Sequence, residues 1–151
     1  MPAERFHLAA AVYGVLRHDD RVLLMRRAGS GYHDGELGLP AGHLDGGEDA
    51  VAGLVRELHE ELTIVADPDS CRLALVLHRA PESPSDDEYL DLVFTVGAWE
   101  GEPLIGETTK CSELVWADLR HLPLDVVHYV ARALQALGAD EPLLLYGWSR
   151  S

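Results

Sequence analysis

The spacing of apolar residues along the chain predicts strands first and then a helix. Apolar runs over Leu8–Leu16 and Arg21–Arg26 predict two buried strands joined by a turn at residues 18–20. A helix is predicted from about Glu48 to Leu62 because apolar residues recur there at helical spacing. The members of this apolar stripe are Val51, Leu54, Val55, Leu58 and Leu62. One face of the helix should therefore pack against a core.

The second half of the chain predicts more strands and a second helix. The predicted strands are Arg72–Arg79, Tyr89–Trp99 and Leu114–Ala117, and the predicted helix covers about residues 124–137. Residues 142–151 show no clear pattern. The element order is strand, strand, helix, strands, helix. This order predicts an α/β (α+β) fold, in which a mixed β-sheet is sandwiched between α-helices.

Length and composition indicate one globular domain over residues 1–151. The chain has 151 residues, of which 47% are hydrophobic and 25% are charged, an ordinary balance for a folded domain. No apolar run approaches the roughly 18 residues that a membrane helix needs. The N-terminus lacks the features of a signal peptide, so a cytoplasmic location is the default expectation.

The charge balance limits the classes of partner. The net charge is −14, from 12 Lys+Arg against 26 Asp+Glu, which argues against binding to a nucleic-acid polymer. An acidic protein that binds phosphates needs local cations or metal ions. Cys71 and Cys111 are far apart and form no CxxC pair, so we expect two buried thiols rather than a zinc site or a disulfide.

Acidic residues gather on one side of the first predicted helix. At helical spacing, Glu57, Glu60 and Glu61 fall together with Arg56 on the side away from the apolar stripe. Like charges at this spacing repel each other, and hard oxygen ligands gathered this way suit Mg²⁺ or Mn²⁺. The spacing alone is also typical of a solvated helix face, so the surrounding segment must decide.

The segment from Gly42 to Ile64 resembles the Nudix box, whose pattern is G-x5-E-x7-R-E-U-x-E-E-x-G-U with U aliphatic. The positions that match in register are Gly42, Glu48, Arg56, Glu57, Leu58, Glu60, Glu61 and Ile64. Thr63 departs from the pattern, because the family has Gly there. This departure bears on the end of the helix, where a positive φ is convenient, and removes no metal ligand. The segment Gly101-Glu102-Pro103 with Glu107 is similar to the MutT-related branch of the family.

The resemblance implies a divalent metal site. Glu57, Glu60 and Glu61 correspond to the family's metal ligands, with help from the backbone carbonyl of Gly42. Mg²⁺ is the expected metal, and Mn²⁺ is an alternative. Glu107 corresponds to an additional carboxylate of the family and is a candidate metal ligand.

Supporting roles around this metal site also follow from the resemblance. Arg56 should orient Glu57 through a charged hydrogen bond, and Glu48 should hold Arg56 or the preceding loop. Glu57 and Glu107 are rival candidates for the general base, and the sequence leaves this choice open.

Candidates for substrate binding lie elsewhere in the chain. Arg27 ends a predicted strand and is a candidate phosphate contact, while Tyr89, Asp125 and His128 are candidates for recognising the rest of the substrate. Trp116 fits a core or edge position better than a stacking role. His33 and Asp34 could close over the site from the Gly-rich loop. His43 and His59 form no HExxH zinc motif, so both are treated as incidental.

Family members hydrolyse a nucleoside diphosphate linked to another group, X. For this chain the resemblance favours a (deoxy)nucleoside triphosphate, giving a nucleoside monophosphate and pyrophosphate. The alternative is a nucleoside diphosphate sugar such as ADP-ribose, although such members are often longer and carry an added N-terminal sheet. A third hypothesis is that the chain is a Nudix-like nucleotide sensor that does not catalyse hydrolysis. The expected partner is a small nucleotide, with no membrane and no nucleic-acid polymer. The oligomeric state stays open, with a homodimer as one option.

Overall fold

The computed structural model describes residues 3–149, in which ten strands and two α-helices follow one another. The strands are β1 (Ala9–His18), β2 (Arg21–Arg27), β3 (Leu37–Gly38), β4 (Ala41–His43), β5 (Val65–Ala66), β6 (Cys71–Arg79), β7 (Tyr89–Val96), β8 (Trp99–Glu100), β9 (Cys111–Asp118) and β10 (Leu143–Tyr146). The helices are α1 (Ala50–Leu62) and α2 (His128–Gln135). Residues 1–2 and 150–151 lie outside the described part, so the prediction for the tail is tested only up to residue 149.

Eight of the strands form one mixed sheet around β1. The order along the sheet is β10-β6-β7-β1-β2-β3, with β4 paired to β1 and β9 paired to β2. β1 runs parallel to β7 and antiparallel to β4 and β2. β5 and β8 make a separate two-stranded sheet. The predicted mixed sheet is confirmed.

Each face of the large sheet packs against one helix. Along β1, Val12 and Leu16 join the core cluster that contains the apolar side chains of α1. Tyr13 and Val15 belong to the cluster that contains α2. This alternation follows from the period of two in a strand, which sends successive side chains to opposite faces. The sandwich of helices around a sheet therefore agrees with the prediction.

Helix α1 begins later than the sequence pattern indicated. The predicted start was Glu48, but the helix begins at Ala50 with Asp49 as its N-cap. The Asp49 side chain accepts a hydrogen bond of 2.8 Å from the backbone N–H of Ala52, which satisfies one of the free donors of the first turn. The helix ends at Leu62, and Thr63 follows with φ 61°. Thr63 thus adopts the left-handed conformation for which the family pattern has Gly.

The predicted start of the second helix was wrong. Residues 124–127 are not helical, and α2 covers only His128–Gln135. The reason is a backbone pairing with β3: the Leu37 N–H donates to the Asp125 carbonyl and the Val127 N–H donates to the Leu37 carbonyl, each at 2.9 Å. These bonds hold residues 125–127 beside β3, and the helix begins only after them.

Several strand boundaries also differ from the prediction. β7 ends at Val96, and Trp99 belongs to the separate strand β8, which pairs with β5. β9 begins at Cys111 instead of Leu114, since it pairs along the whole of β2. β4 covers Ala41–His43, where the apolar pattern predicted no strand. The unassigned tail contains β10, which pairs in parallel with β6.

Two predictions from composition can be compared with the structure. Both cysteines are free and buried, as expected. Within residues 3–149, every helix is too short or too polar to cross a membrane.

Candidate active site

A cavity of about 500 Å³ opens between α1, β4 and the loops that follow β2 and β8. Its volume lies in the range of small-molecule sites, roughly 300–1,000 Å³. Two parts of its lining differ in chemistry. The carboxylate region consists of Gly42, Glu57, Glu60, Glu61 and Glu107. The tyrosine region consists of Tyr32, Arg79, Tyr89 and Tyr129.

The carboxylate region depends on close contact between α1 and β4. The Glu57 carboxylate lies directly over the α-carbon of Gly42, and a Cβ at residue 42 would overlap the carboxylate carbon. A glycine is therefore required here for close approach rather than for its backbone conformation. Instead of pointing to open solvent, Glu57 and Glu61 are half-buried on the flank of the helix that faces β4.

Glu61 is the most strongly perturbed carboxylate of the region. Its Oε2 accepts a long hydrogen bond of 3.3 Å from the Ala41 N–H. Burial, and then the negative charge of Glu57, raise the pKa of Glu61 to about 8. Burial also raises the pKa of Glu57, and Arg56 opposes this shift. Both carboxylates thus lie where negative charge is disfavoured unless a cation is added.

Arg56 connects α1 to the loop before it. Its Nη1 donates to Oε1 of Glu57 at 2.8 Å, while its Nε and Nη2 donate to the two carboxylate oxygens of Glu48 at 3.1 and 2.6 Å. Nη2 also donates to the His43 carbonyl at 3.3 Å. The pKa of Glu48 is lowered by the guanidinium of Arg56. The predicted contacts from Arg56 to Glu57 and Glu48 are therefore present.

The loop before β9 carries Glu107 to the end of α1. The N–H of Gly106 donates to the Glu61 carbonyl at 2.8 Å, and Leu104 donates to the Leu62 carbonyl at 3.0 Å. These bonds satisfy free carbonyls of the helix end. They also bring Glu107 close enough for its charge to contribute to the raised pKa values of Glu57 and Glu61.

The donor set suits a hard divalent cation, although its members are not yet gathered around one point. Within residues 3–149, no three His, Cys, Asp or Glu side chains already form a complete metal-ligating group. One reason is that Glu57 is turned towards Arg56, and another is that the side chain of Glu60 is 49% exposed. Carboxylate oxygens and a backbone carbonyl are the ligands that Mg²⁺ and Mn²⁺ prefer.

Positive side chains also reach the cavity. Arg27 lines it, and its Nε donates to the Tyr32 carbonyl at 2.8 Å. Lys110 lines it as well, with its Nζ 3.3 Å from Oε2 of Glu107. Arg27 was among the predicted substrate contacts, and its position by the cavity is compatible with an anionic ligand.

Some predicted site residues lie outside the cavity lining. Asp125 accepts a hydrogen bond of 2.7 Å from Nη1 of Arg26. Glu48 contacts Arg56 but does not line the cavity. Trp116 packs on His18, with ring centroids 4.4 Å apart. His128 is exposed at the start of α2.

Other residues of the Gly-rich loop and of the box lie differently from the sequence expectation. Asp34 accepts hydrogen bonds from the backbone of Ser30 and Gly31, so it shapes the loop itself. His59 is exposed. His43, treated as incidental, lines the cavity and stacks on Tyr89 with ring centroids 5.7 Å apart.

The sequence reasoning missed most of the tyrosine region. Tyr89 was a candidate, but Tyr32, Arg79 and Tyr129 were not. They come from a loop, a strand and a helix that are distant in the chain, so no spacing connects them. One usable signal was Asp91, a charged residue inside an otherwise apolar strand, because a buried carboxylate needs a partner.

Comparisons with known proteins agree with this geometry. A model of the NUDIX domain matches residues 5–137. An ADP-ribose pyrophosphatase of Methanocaldococcus jannaschii is 29% identical over 117 residues, which cover 78% of this chain and 66% of that protein, just under two thirds of its length.

Solved structures give the same fold. A MutT NUDIX hydrolase from Burkholderia pseudomallei superposes with a TM-score of 0.78 and 26% identity, covering 86% of this chain and 98% of the other. The NUDIX domain of NrtR from Shewanella oneidensis, complexed with ADP ribose, has a TM-score of 0.67 and 18% identity, covering 87% and 86%. The second likeness shows the fold alone.

Proposed function

The chain belongs to the NUDIX domain family, and we propose that it hydrolyses the phosphoanhydride of a nucleoside diphosphate sugar, with ADP-ribose as the representative substrate. The observation that carries a hydrolytic role is the carboxylate region: half-buried glutamates with raised pKa values lie beside a cavity of small-molecule size. Titratable groups perturbed in this way are characteristic of functional sites.

In this proposal a divalent metal, Mg²⁺ or Mn²⁺, binds to the carboxylate region. Glu57, Glu60 and Glu61 would hold it together with the carbonyl of Gly42, and Glu107 is available as a further ligand. The cation would offset the clustered negative charge, reduce the charge of the pyrophosphate and make water easier to ionise. The close approach of Glu57 to Gly42 supports this assignment, since it brings a carboxylate against the backbone of β4.

The surrounding side chains have distinct proposed roles. Arg56 keeps Glu57 in place through their hydrogen bond, and Glu48 fixes Arg56 in turn. Glu57 or Glu107 accepts the proton of the attacking water. The oxygen of that water forms a bond to phosphorus while the anhydride P–O bond breaks, so ADP-ribose would give AMP and ribose 5-phosphate. Arg27 and Lys110 line the cavity and would contact the phosphates.

The choice of substrate class rests on the comparison with the ADP-ribose pyrophosphatase of M. jannaschii. It favours a nucleoside diphosphate sugar over the nucleoside triphosphate that the sequence alone indicated. The triphosphate stays the second candidate, since the segment Gly101-Glu102-Pro103 with Glu107 is similar to the MutT-related branch of the family. A sensor without catalysis is the third.

A substrate panel separates these candidates. The purified chain is incubated with Mg²⁺ and ADP-ribose, with other nucleoside diphosphate sugars, or with each nucleoside triphosphate. Products are separated by ion-exchange chromatography, and a parallel series contains a chelator in place of the metal. We expect AMP and ribose 5-phosphate from ADP-ribose, dependent on the metal. Pyrophosphate from triphosphates, with no cleavage of any sugar, would overturn the proposal, and binding without cleavage would favour the sensor.

A further inference from the structure

A buried ion pair lies behind the tyrosine region. Arg79 and Asp91 are only 2% and 0% exposed, and they are the charged residues classed as buried within residues 3–149. Nε and Nη2 of Arg79 donate to the two carboxylate oxygens of Asp91. Removing two charges from water is unfavourable, and their mutual attraction often only offsets that cost. An ion pair in this position therefore needs an explanation other than stability.

The contacts of Arg79 show what it holds. Its guanidinium lies between two rings, 4.3 Å from the centroid of Tyr89 and 3.8 Å from that of Tyr129. Its Nη1 donates to the hydroxyl of Tyr32 at 3.0 Å. Its charge is matched by Asp91 and two tyrosine rings pack against it, so Arg79 is poorly suited to bind a phosphate. Its remaining function is to fix the aromatic side chains around it.

Tyr32 is the member of the region that lies on a loop, and it is fixed at both ends. Its carbonyl accepts from Nε of Arg27 at 2.8 Å, and its hydroxyl accepts from Arg79. The neighbouring His33 contacts Glu36 at 2.8 Å and Glu82 at 2.9 Å. A half-buried ring that lines a cavity is thus held in one orientation although its backbone is in a loop of glycines and bends.

We propose that Tyr32 determines specificity by providing the ring on which the planar base of the substrate stacks, and that Arg79 is the positioning residue that holds Tyr32 in place. This rests on the proposed function in so far as the substrate is a nucleotide. A base suits this part of the cavity because the half-buried Tyr32 ring lines it, while the hydroxyl of Tyr32 and the guanidinium of Arg79 are already paired. A sugar or a phosphate would need those polar groups.

Binding of the two products tests the role of Tyr32 without requiring turnover. Isothermal titration measures the Kd of AMP and of ribose 5-phosphate, both with Mg²⁺ present, for the wild type and for Tyr32→Ala. Because stacking of a base on an aromatic ring contributes to affinity, loss of the ring should raise the Kd of AMP about tenfold. The Kd of ribose 5-phosphate should change less than twofold. Phe6→Ala is the matched control, because Phe6 is 70% exposed and does not line the cavity.

The role of Arg79 needs a variant that still folds. Arg79→Met/Asp91→Leu replaces the pair by apolar side chains of similar size, a change that buried pairs often tolerate. If Arg79 acts through the Tyr32 hydroxyl, this double variant and Tyr32→Phe should each raise the Kd of AMP by a similar factor. Combining them should add less than a further twofold. A folded double variant with the wild-type Kd would show that the pair has a structural role only.

The results also separate this inference from the proposed function. If AMP binds and Tyr32→Ala weakens it, the inference holds even when ADP-ribose is not cleaved. If Tyr32→Ala weakens AMP and ribose 5-phosphate equally, the ring does not contact the base and the inference fails. Failure of the wild type to bind AMP, GMP, CMP or UMP at millimolar concentration would also overturn it, whatever pyrophosphate the chain hydrolyses.

Discussion

The two regions of the cavity differ in how far their buried negative charge is balanced by positive charge. In the carboxylate region, the carboxylates outnumber the nearby positive charges. Burial and mutual repulsion therefore disfavour their ionised forms, and the pKa values of Glu57 and Glu61 are raised. In the tyrosine region, Arg79 and Asp91 are deeper still but neutralise each other. The first region carries an unbalanced negative charge, whereas the charges of the ion pair balance each other. The imbalance is the ground for the proposed metal site, and the balanced pair is the ground for the proposed positioning role of Arg79.

The largest effect should come from breaking the balanced pair. Arg79→Met leaves the buried Asp91 without a cationic partner, and such a loss typically costs about 3–5 kcal/mol of the free energy of unfolding. Urea unfolding followed by circular dichroism measures it. The matched variant Arg79→Met/Asp91→Leu should recover most of the loss, because no unpaired charge remains. Equal stabilities of wild type and Arg79→Met would show that Asp91 is solvated or neutral.

Glu57→Gln tests the unbalanced region next. It removes a proposed ligand charge and one candidate base, so kcat on the best substrate should fall roughly 100-fold, which is about 2.7 kcal/mol of transition-state stabilisation. Initial rates at saturating Mg²⁺ and substrate give the value. Glu100→Gln, an exposed glutamate of β8 outside the cavity lining, is the control. Wild-type activity in Glu57→Gln would refute the metal assignment.

Gly42→Ala tests the close approach on which the same region depends. The added Cβ would displace the Glu57 carboxylate, and a displaced ligand typically weakens metal binding about tenfold or more. Titration with Mn²⁺, followed by electron paramagnetic resonance of the free ion, measures the affinity. Gly38→Ala is the control, because its Cβ would meet only the Arg27 side chain at 3.8 Å. Equal affinities for the two variants would remove Gly42 from the site.

Thr63→Gly asks whether the carboxylate helix carries backbone strain. Thr63 holds φ 61°, a conformation that costs a β-branched residue on the order of 1–2 kcal/mol. Glycine relieves this strain but gains entropy in the unfolded chain, so the net stabilisation should be about 1 kcal/mol or less. Thermal unfolding measures it, and Thr63→Asn should give an intermediate value. A less stable Thr63→Gly would mean that the side chain makes a contact worth more than the strain.

The smallest effect concerns His33 beside the tyrosine region. Burial lowers the pKa of His33, but its hydrogen bonds to Glu36 and Glu82 outweigh this, and the net pKa is raised. The folded-state pKa then lies above the unfolded value of about 6.5. The stabilisation is therefore fully present below that pH and is lost as the pH rises through the folded-state pKa.

The difference in stability between wild type and His33→Asn should accordingly be larger near pH 6 than near pH 9. It should stay below about 1 kcal/mol, because the ion pairs are partly exposed. Asparagine is chosen because it tolerates the positive φ of residue 33, which is 53°. Urea unfolding at the two pH values is the measurement. A difference that grows with pH would contradict the assigned ion pairs.

The sequence predicted the parts of the fold that depend on local periodicity. Helix α1 was found because its apolar residues recur at helical spacing, and the first two strands were found because each is a short apolar run. The start of α2 was missed because the pairing of Leu37 with residues 125–127 connects distant parts of the chain. β10 was missed for the same reason, since a four-residue strand gains its stability from β6.

The two regions of the site differ in the same respect. The carboxylate region was predictable because most of its members share one helix and one recognisable segment. Glu107 lies far from this segment in the sequence, so it had to be inferred separately. In the tyrosine region, Arg79 ends a strand that the apolar pattern explains completely, and Tyr32 lies in a loop with no pattern. Their contact follows from the tertiary fold and from nothing local.

Strand β4 has a consequence for how such a protein can change over generations. Gly42 faces Glu57, while His43, the next residue, packs on Tyr89, because successive positions of a strand point to opposite sides. One short strand thus separates the proposed metal ligands from the residues proposed to recognise the base. A lineage can exchange the residues on one side of β4 and inherit the other side intact. New substrates are then open to descendants that keep the same reaction.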